Sequence, residues 1–432
     1  MEKWINPRLQ DWGKITARPQ LGQGDLENIC RDIFTEVQKE GDKALLKYTW
    51  YFDRVRIGNF RVSEEEIAEA EEEVGMALKD AIREAARNIE AFHLKQLPGS
   101  CEYESGKGFR CWQEVRGIER VGLYIPGGSA PLFSTVLMLV IPARIAGCRE
   151  IVICTPPGPE GKVHPAILWA ARYCGATAIY KVGGIQAVAA LTLGTESIPR
   201  VSKILGPGNQ YVTAAKRFAG NYGVAMDMPA GPSEVLIVAD STARPEFLAA
   251  DLLSQAEHGK DSQVVLVTWC PDLLEKVERE TERQMEMLPR CEIARVAWAN
   301  ARFVVLETPE MCMRFVNEYA PEHLLLSVEN CRDYIADIRN AGSVFLGNYS
   351  PESAGDYASG TNHTLPTGAF AKAYSGINVD AFLKKISFQE IGEEGLRYLA
   401  PVIMTMAEQE HLYAHKNAVQ IRINNVGTEQ KK

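Results

Sequence analysis

From Arg120 onward the chain repeats one pattern: a short apolar run, a turn containing glycine, then an apolar or amphipathic stretch of helical length. RVGLYI leads into PGGSAP and an apolar stretch reaching Gly147. EIVICT leads through PPG into HPAILWAARYCGA, TAIYKV into IQAVAALTLG, and VSKIL through GPGN into QYVTAAKRFAG. A spacing of roughly 25 to 30 residues suits strand–helix–strand units, because parallel strands need a crossover of that length. Near Pro229-Ala230-Gly231-Pro232 a second set begins: SEVLIVAD, RPEFLAADLLSQAEH, SQVVLVTW, DLLEKVERETERQMEML, ARFVVLE and a helix towards Tyr319. The pattern predicts an α/β protein with two similar doubly wound, parallel-sheet domains that meet near residue 230.

The flanks read differently. The first hundred residues carry helical periodicity, closing on a charged run from Ser63. There Ser63 and Glu66 fit a capping box, Pro98-Gly99 ends the element, and the glutamates form a solvated face. Beyond Tyr374 the chain turns helical again, and LRYLAPVIMTMAEQEHLYAHKNAV carries an apolar face far in sequence from both sheets. Such a tail suits a swapped or docking arm.

With 432 residues and 46% apolar content, the chain can build two or three well-buried domains. A formal net charge of −9 without a basic block argues against nucleic acid or an anionic membrane as partner. Ten cysteines without C-x-x-C pairs read as reduced thiols, as at Cys148, Cys154 and Cys174 in apolar runs. The N-terminus lacks the apolar core of a signal peptide, and the stretch from Pro131 to Val140 is too short to span a bilayer. The expectation is a soluble, cytoplasmic protein.

Candidate chemistry begins with the seven histidines. RPEFLAADLLSQAEH reads as a helix from Arg244 to His258 stopped by Gly259, with Gln255 and His258 three apart on one face, converging on one cation. A metal needs three or four ligands, and Asp356, His363 and His415 are further candidates supplied from loops and the C-terminal arm. Oxygen and nitrogen donors of this kind suit zinc, and manganese or cobalt as well. Glu322 and His323 follow Pro321, where a loop can aim both into one cavity as two distinct proton acceptors. His93 and His164 lack polar company and read as structural. The turns at Gly127-Gly128, Gly183-Gly184 and Gly206-Pro207-Gly208-Asn209 each follow a strand and open a helix, which favours phosphate at the carboxyl edge of a sheet. None is a G-x-G-x-x-G fingerprint, and a tight turn needs glycine in any case.

Taken together, VGLYIPGGSAPLFSTVLM, VGGIQAVAALTLGTESIP, ILGPGNQYVTAAKR, DMPAGPSEVLIVAD, DLLSQAEHG, YAPEHL, SPESAGDYASGTNHTLPT and AHKNAV closely resemble the histidinol dehydrogenase family. The resemblance implies an NAD-dependent four-electron oxidation of L-histidinol to L-histidine through bound L-histidinaldehyde. It implies one zinc ion per subunit, held by Gln255, His258, Asp356 and His415, and an acid–base pair, Glu322 and His323. Ser233, Glu352, His363 and Glu410 fall where the family contacts substrate, with the zinc ligands and His323. Tyr124, Gln186 and Asn209 fall where it contacts NAD. The family is a homodimer with shared active sites, so Glu410 and His415 would act across the interface.

The domain plan that follows has incomplete Rossmann-like sheets. Residues 1–22 form an N-terminal helical arm, and 23–119 with 230–373 form an α/β domain carrying the metal and acid–base residues. Residues 120–229 form the NAD domain, and 374–432 form a C-terminal helical arm reaching the partner. The departures are Gly259-Lys260-Asp261 and Ile185, which touch no ligand or acid–base position. A relative oxidising a sulfonated diol, a zinc hydrolase and a non-catalytic metal-binding protein are the competing readings. Intact His415 and Glu410 oppose the first, and the glycine turns oppose the second.

Overall fold

The computed structural model describes residues 1–18, 26–127, 130–229 and 231–425. Gly128 of the first glycine turn, Ala230 of the junction, residues 19–25 around the first boundary and 426–432 of the C-terminal arm lie outside the described residues. The chain divides into two compact units, Met1–Gln96 with Ile118–Phe382, and Leu97–Gly117 with Leu383–Lys432.

Two parallel sheets form the first unit. One has the spatial order Ala178–Lys181, Glu150–Thr155, Arg120–Tyr124, Lys203–Leu205, Ala225–Met226. The other runs Glu2–Ile5, Arg302–Val305, Gln263–Thr268, Glu234–Ala239, His323–Ser327, Ser343–Leu346. Each winding starts at a central strand, proceeds to one side, then crosses to the other. The order therefore reverses between Arg120–Tyr124 and Lys203–Leu205, and between Glu234–Ala239 and His323–Ser327. The central strands are continuous apolar runs because both faces are covered; Glu234–Ala239 and Gln263–Thr268 are buried at every position.

Several flanking elements depart from the sequence reading. Glu2–Ile5, expected within a helical arm, is an edge strand parallel to Arg302–Val305. Glu2, Lys3 and the apolar Ile5 are exposed and Trp4 is half-buried, so no periodicity announces it. The capping box forms as expected, with Glu66 N–H on Ser63 Oγ at 3.2 Å and Ser63 N–H on Glu66 Oε2 at 2.9 Å. The charged run is nonetheless two helices, Glu64–Glu73 and Met76–Leu94, broken at Val74-Gly75. Leu26–Glu40 buries Cys30, Ile33, Phe34 and Val37, a stripe at helical spacing, in the same core as Tyr180, Val188 and Leu191. Residues 26–60 thus share the hydrophobic core of the 120–229 sheet, whereas the expected boundary grouped them with 230–373.

The second unit holds an antiparallel sheet that periodicity did not reveal: Leu383–Ile391, Phe109–Gly117, Cys101–Glu104. The expected all-helical tail therefore begins with a strand, followed by helices Glu393–Gln409 and Tyr413–Asn425. Trp112 and Phe388 stack at 5.4 Å across the sheet. Its strands are largely exposed, so apolar and polar positions do not alternate cleanly. Among the described residues no helix is long and apolar enough to cross a membrane.

Candidate active site

The helix carrying Gln255 begins with Pro245 at its first turn, where the missing N–H costs nothing, and buries Leu248, Leu252, Leu253 and Ala256. It ends at Ala256, two residues before the expected last residue His258, and Gly259 is not left-handed. The His258 N–H closes a turn on Gln255 C=O at 3.3 Å, so the two residues stay adjacent without a shared helix face. A crossover helix runs antiparallel to its strands, which brings its last turn to the amino edge of the second sheet. Ser233 precedes Glu234–Ala239, and His323 opens His323–Ser327 at the same edge. Tyr124 and Gly206, by contrast, lie at the carboxyl edge of the first sheet. The metal and acid–base candidates are therefore on the opposite edge of their own sheet from the usual ligand side.

Before the His323 strand, the helix Pro309–Tyr319 ends in left-handed Ala320 (φ 53°), and Pro321 follows. Glu322 then sits outside the regular pleat, and both it and His323 are buried. Glu322 Oε2 accepts the Glu234 N–H at 2.8 Å. His323 Nδ1 lies 3.2 Å from Glu234 C=O; a carbonyl only accepts, so Nδ1 carries the proton. His323 Nε2 is buried without a hydrogen-bond partner among the described residues, 3.7 Å from Asp356 Oδ1.

Asp356 and Glu352 come from a short helix, Glu352–Tyr357, where a loop was expected. Gly355 lets that helix approach Phe345: a Cβ there would fall 2.6 Å from the ring. Glu352 is buried and accepts the Ser254 hydroxyl at 3.2 Å. Ligand atoms of His258, Glu352 and Asp356 lie within 4.8 Å of one another. The amide oxygen of Gln255 faces the Glu352 carboxylate, an opposition of two acceptors that a cation or a proton relieves. With the amide reversed, its nitrogen meets Glu352 and its oxygen takes the Glu234 N–H at 2.7 Å.

Electrostatics tell the same story. Burial pushes the Glu322 carboxyl up to about 8 despite His323 and the Glu234 N–H. Burial also drives Glu352 well above the usual carboxylate range. Asp356 is held below that range, its burial outweighed by His323, His363 and His258. Burial opposes a charge on His323, but Glu352, Glu322 and Asp356 together raise it to about 10. Ionised together, three carboxylates around one imidazole carry an excess of negative charge; a divalent cation would neutralise it and let the His323 ring release its extra proton, so these residues fit a metal. His258 has an exposed edge, yet the protein crowded around it lowers its pKa, which keeps the ring neutral for ligation.

A cavity of about 1090 Å³ joins the two sheets and is lined by Asn209, Ser233, His258, Glu322 and His363 among others. His363 Nδ1 donates to Asp356 C=O at 2.9 Å and Nε2 meets the Thr135 hydroxyl at 3.2 Å, which fixes the ring, and burial lowers its pKa. Asn209 caps Gln210–Ala219, accepting the Tyr211 and Val212 N–H groups at 3.1 Å each. Tyr124 and Gln186 are not among the cavity's lining side chains. The Tyr124 hydroxyl accepts the Gly184 N–H at 3.1 Å, and the Gln186 amide is buried with neither end hydrogen-bonded among the described residues. Glu410 and His415 belong to the second unit, both exposed. His164 caps its helix, as a structural residue should, but His93 has polar company after all: Asn362 Nδ2 lies 3.4 Å from its Nε2.

The sequence reading missed Glu234, and it named Glu352 only as a substrate contact, whereas its carboxylate lies with His258 and Asp356 in a group that could hold a metal ion. A carboxylate opening the apolar run EVLIVA was a signal for the first, since an unpaired buried charge is costly.

A sequence model of the histidinol dehydrogenase family matches residues 16–423. A histidinol dehydrogenase of Bacteroides thetaiotaomicron is 53% identical over 418 residues, 97% of this chain and 98% of that protein. One from Escherichia coli is 48% identical over 425 residues, 96% and 97% of the two chains. The crystal structure of histidinol dehydrogenase from Elizabethkingia anophelis matches with a TM-score of 0.97 at 53% identity, covering 99% of both chains. With similarity of this extent along nearly its whole length, the chain belongs to the histidinol dehydrogenase family.

Proposed function

We propose that the protein oxidises L-histidinol to L-histidine in two NAD-dependent steps through bound L-histidinaldehyde, closing histidine biosynthesis. One observation carries this reading: His323, its Nδ1 engaged by Glu234 C=O and its Nε2 free, lies beside the buried carboxyl of Glu322. The two are proton acceptors of different kinds, set where a cavity meets a cluster of metal-donor atoms. Gln255, His258, Asp356 and His415 of the partner subunit would hold zinc, whose charge supplies a Lewis-acidic grip on the substrate's imidazole and amine. Bound NAD would supply the hydride acceptor for each oxidation.

His323 Nε2 takes the hydroxyl proton as the carbinol carbon is oxidised. Ser233, Glu352 and His363, with Glu410 of the partner subunit, orient the substrate, and holding the aldehyde bound keeps it from escaping. Glu322 deprotonates the water that adds to the aldehyde, and His323 takes the second hydroxyl proton. Tyr124, Gln186 and Asn209 contact the dinucleotide, and the unpaired amide of Gln186 supports a polar ligand there. The exposed apolar side chains Tyr398, Val402, Met406 and Leu412 on the C-terminal segment support a homodimer with shared sites. The test is stoichiometry: two NADH should form per histidinol consumed, with no free aldehyde. One NADH with released aldehyde would overturn the reading.

A further inference from the structure

The backbone of one residue aims both members of the acid–base pair. Glu234 donates its N–H to Glu322 Oε2 at 2.8 Å and accepts from His323 Nδ1 at 3.2 Å. Wherever residue 234 goes, the proton acceptors follow. Its own side chain is fully buried and accepts a fork from Arg18, Nε to Oε1 at 2.8 Å and Nη2 to Oε2 at 2.9 Å. The Gly368 N–H adds a third bond to Oε1 at 2.8 Å.

Arg18 is held in turn. It donates to Thr16 C=O and to Tyr319 C=O, both at 2.7 Å, and its guanidinium lies 3.6 Å above the Tyr319 ring. The Tyr319 hydroxyl is anchored on Gln263 Oε1 at 2.8 Å. Tyr319 ends the helix that turns through Ala320 and Pro321 into Glu322. Arg18 therefore grips both chain segments that bear on the pair, the start of the Glu234 strand and the end of the preceding helix. A planar fork suits this task, because it fixes a carboxylate's direction as well as its charge. A buried ion pair is weak evidence of stability by itself, so its placement here asks for another reason.

We propose that Arg18 is a positioning residue for the acid–base pair, acting through Glu234. The inference rests on the roles given above to Glu322 and His323. Arg18 touches neither substrate nor reacting atoms; it holds the peptide that orients them.

The experiment compares the full-length, zinc-loaded protein with Arg18→Met and Arg18→Lys. In Arg18→Met, kcat should fall about 100-fold, the scale for misplacing a reacting group by an ångström, with zinc content and the KM for histidinol retained. The isotope effect on kcat with carbinol-deuterated histidinol should rise, because the chemical step has slowed. Arg18→Lys, keeping the charge without the fork, should recover part of the loss. An unchanged kcat, or a loss matched by a smaller folded fraction at constant isotope effect, would overturn the proposal. Should Arg18→Met fail to fold, the ring-nitrogen spectrum of 15N-histidine-labelled protein decides on Arg18→Lys. His323 should show a protonated Nδ1 in the unaltered chain and a mixture of tautomers in the variant, and identical spectra would sink the idea. Failure of the unaltered protein to oxidise histidinol would instead remove the proposed function, leaving that spectrum to judge Arg18.

Discussion

Lys216 and Asp227 form a buried ion pair 2.5 Å apart whose two members both hold Gly206. The ammonium donates to Gly206 C=O at 2.7 Å, and the second Asp227 oxygen accepts the Gly206 N–H at 2.7 Å. Gly206 has a φ of +123°, and a Cβ there would fall 2.2 Å from Tyr124 C=O. The turn that opens into Asn209 is thus clamped from within.

Breaking the clamp should loosen the dinucleotide side of the cavity and leave a charge stranded. Lys216→Met is expected to destabilise by roughly 3 to 5 kcal/mol, the usual cost of stripping one partner from a buried pair. The KM for NAD should rise more than that for histidinol. Denaturant unfolding and separate KM titrations check both, and equal changes in the two KM values would contradict the assignment.

Gly355→Ala should push the Glu352–Tyr357 helix off Phe345, since its Cβ would meet the ring at 2.6 Å. The expected destabilisation is about 1 to 3 kcal/mol, as for other overpacked sites. Zinc retention after dialysis should also fall, because Glu352 and Asp356 ride on that helix. Full retention would separate the helix from the metal site.

Glu322 acts only when ionised, and burial pushes its carboxyl up to about 8. Below that value it is protonated and cannot accept, so aldehyde oxidation should climb as pH rises and level off above it. A bound cation lowers the midpoint of the rise by favouring the carboxylate. Glu322→Gln should remove the rise while sparing aldehyde reduction. Stopped assays with histidinaldehyde across pH read this directly, and an unchanged rise in the variant would assign it to another group.

Chelation should abolish both oxidations, and added zinc should restore them. Asp356→Ala should lose the metal under mild dialysis, whereas His323→Asn should keep it and lose the alcohol step. Metal analysis beside activity distinguishes the two. Zinc loss from His323→Asn would mean the ring is a ligand and the roles are misassigned. His258, its pKa lowered by burial, stays neutral at pH 7, so metal affinity should fall only at lower pH, where protons compete for the ring.

Much of this was legible along the chain. The two windings announce themselves because fully buried strands must be apolar throughout and their crossovers must be long. The capping box at Ser63 and Glu66 was legible for a similar reason: its bonds are local. Gln255, His258, Glu322, His323 and Asp356 were picked out as a set, and the structure gathers them around one cavity and one donor cluster. The edge strand Glu2–Ile5 and the antiparallel sheet of the second unit were not legible, since exposed strands carry no alternating signature.

What the amino-acid order determined by itself is the set of elements and the inventory of chemistry, because periodicity, caps and rare side chains act over a few residues. Only the tertiary structure decided that Glu322 and His323 stand at the amino edge of their sheet, that Glu352 lies beside His258 and Asp356, and that Arg18 reaches Glu234 across 216 positions. Those relations depend on where distant segments come to rest: burial there raises the Glu322 carboxyl, and the carboxylates gathered around His323 raise the imidazole against its burial.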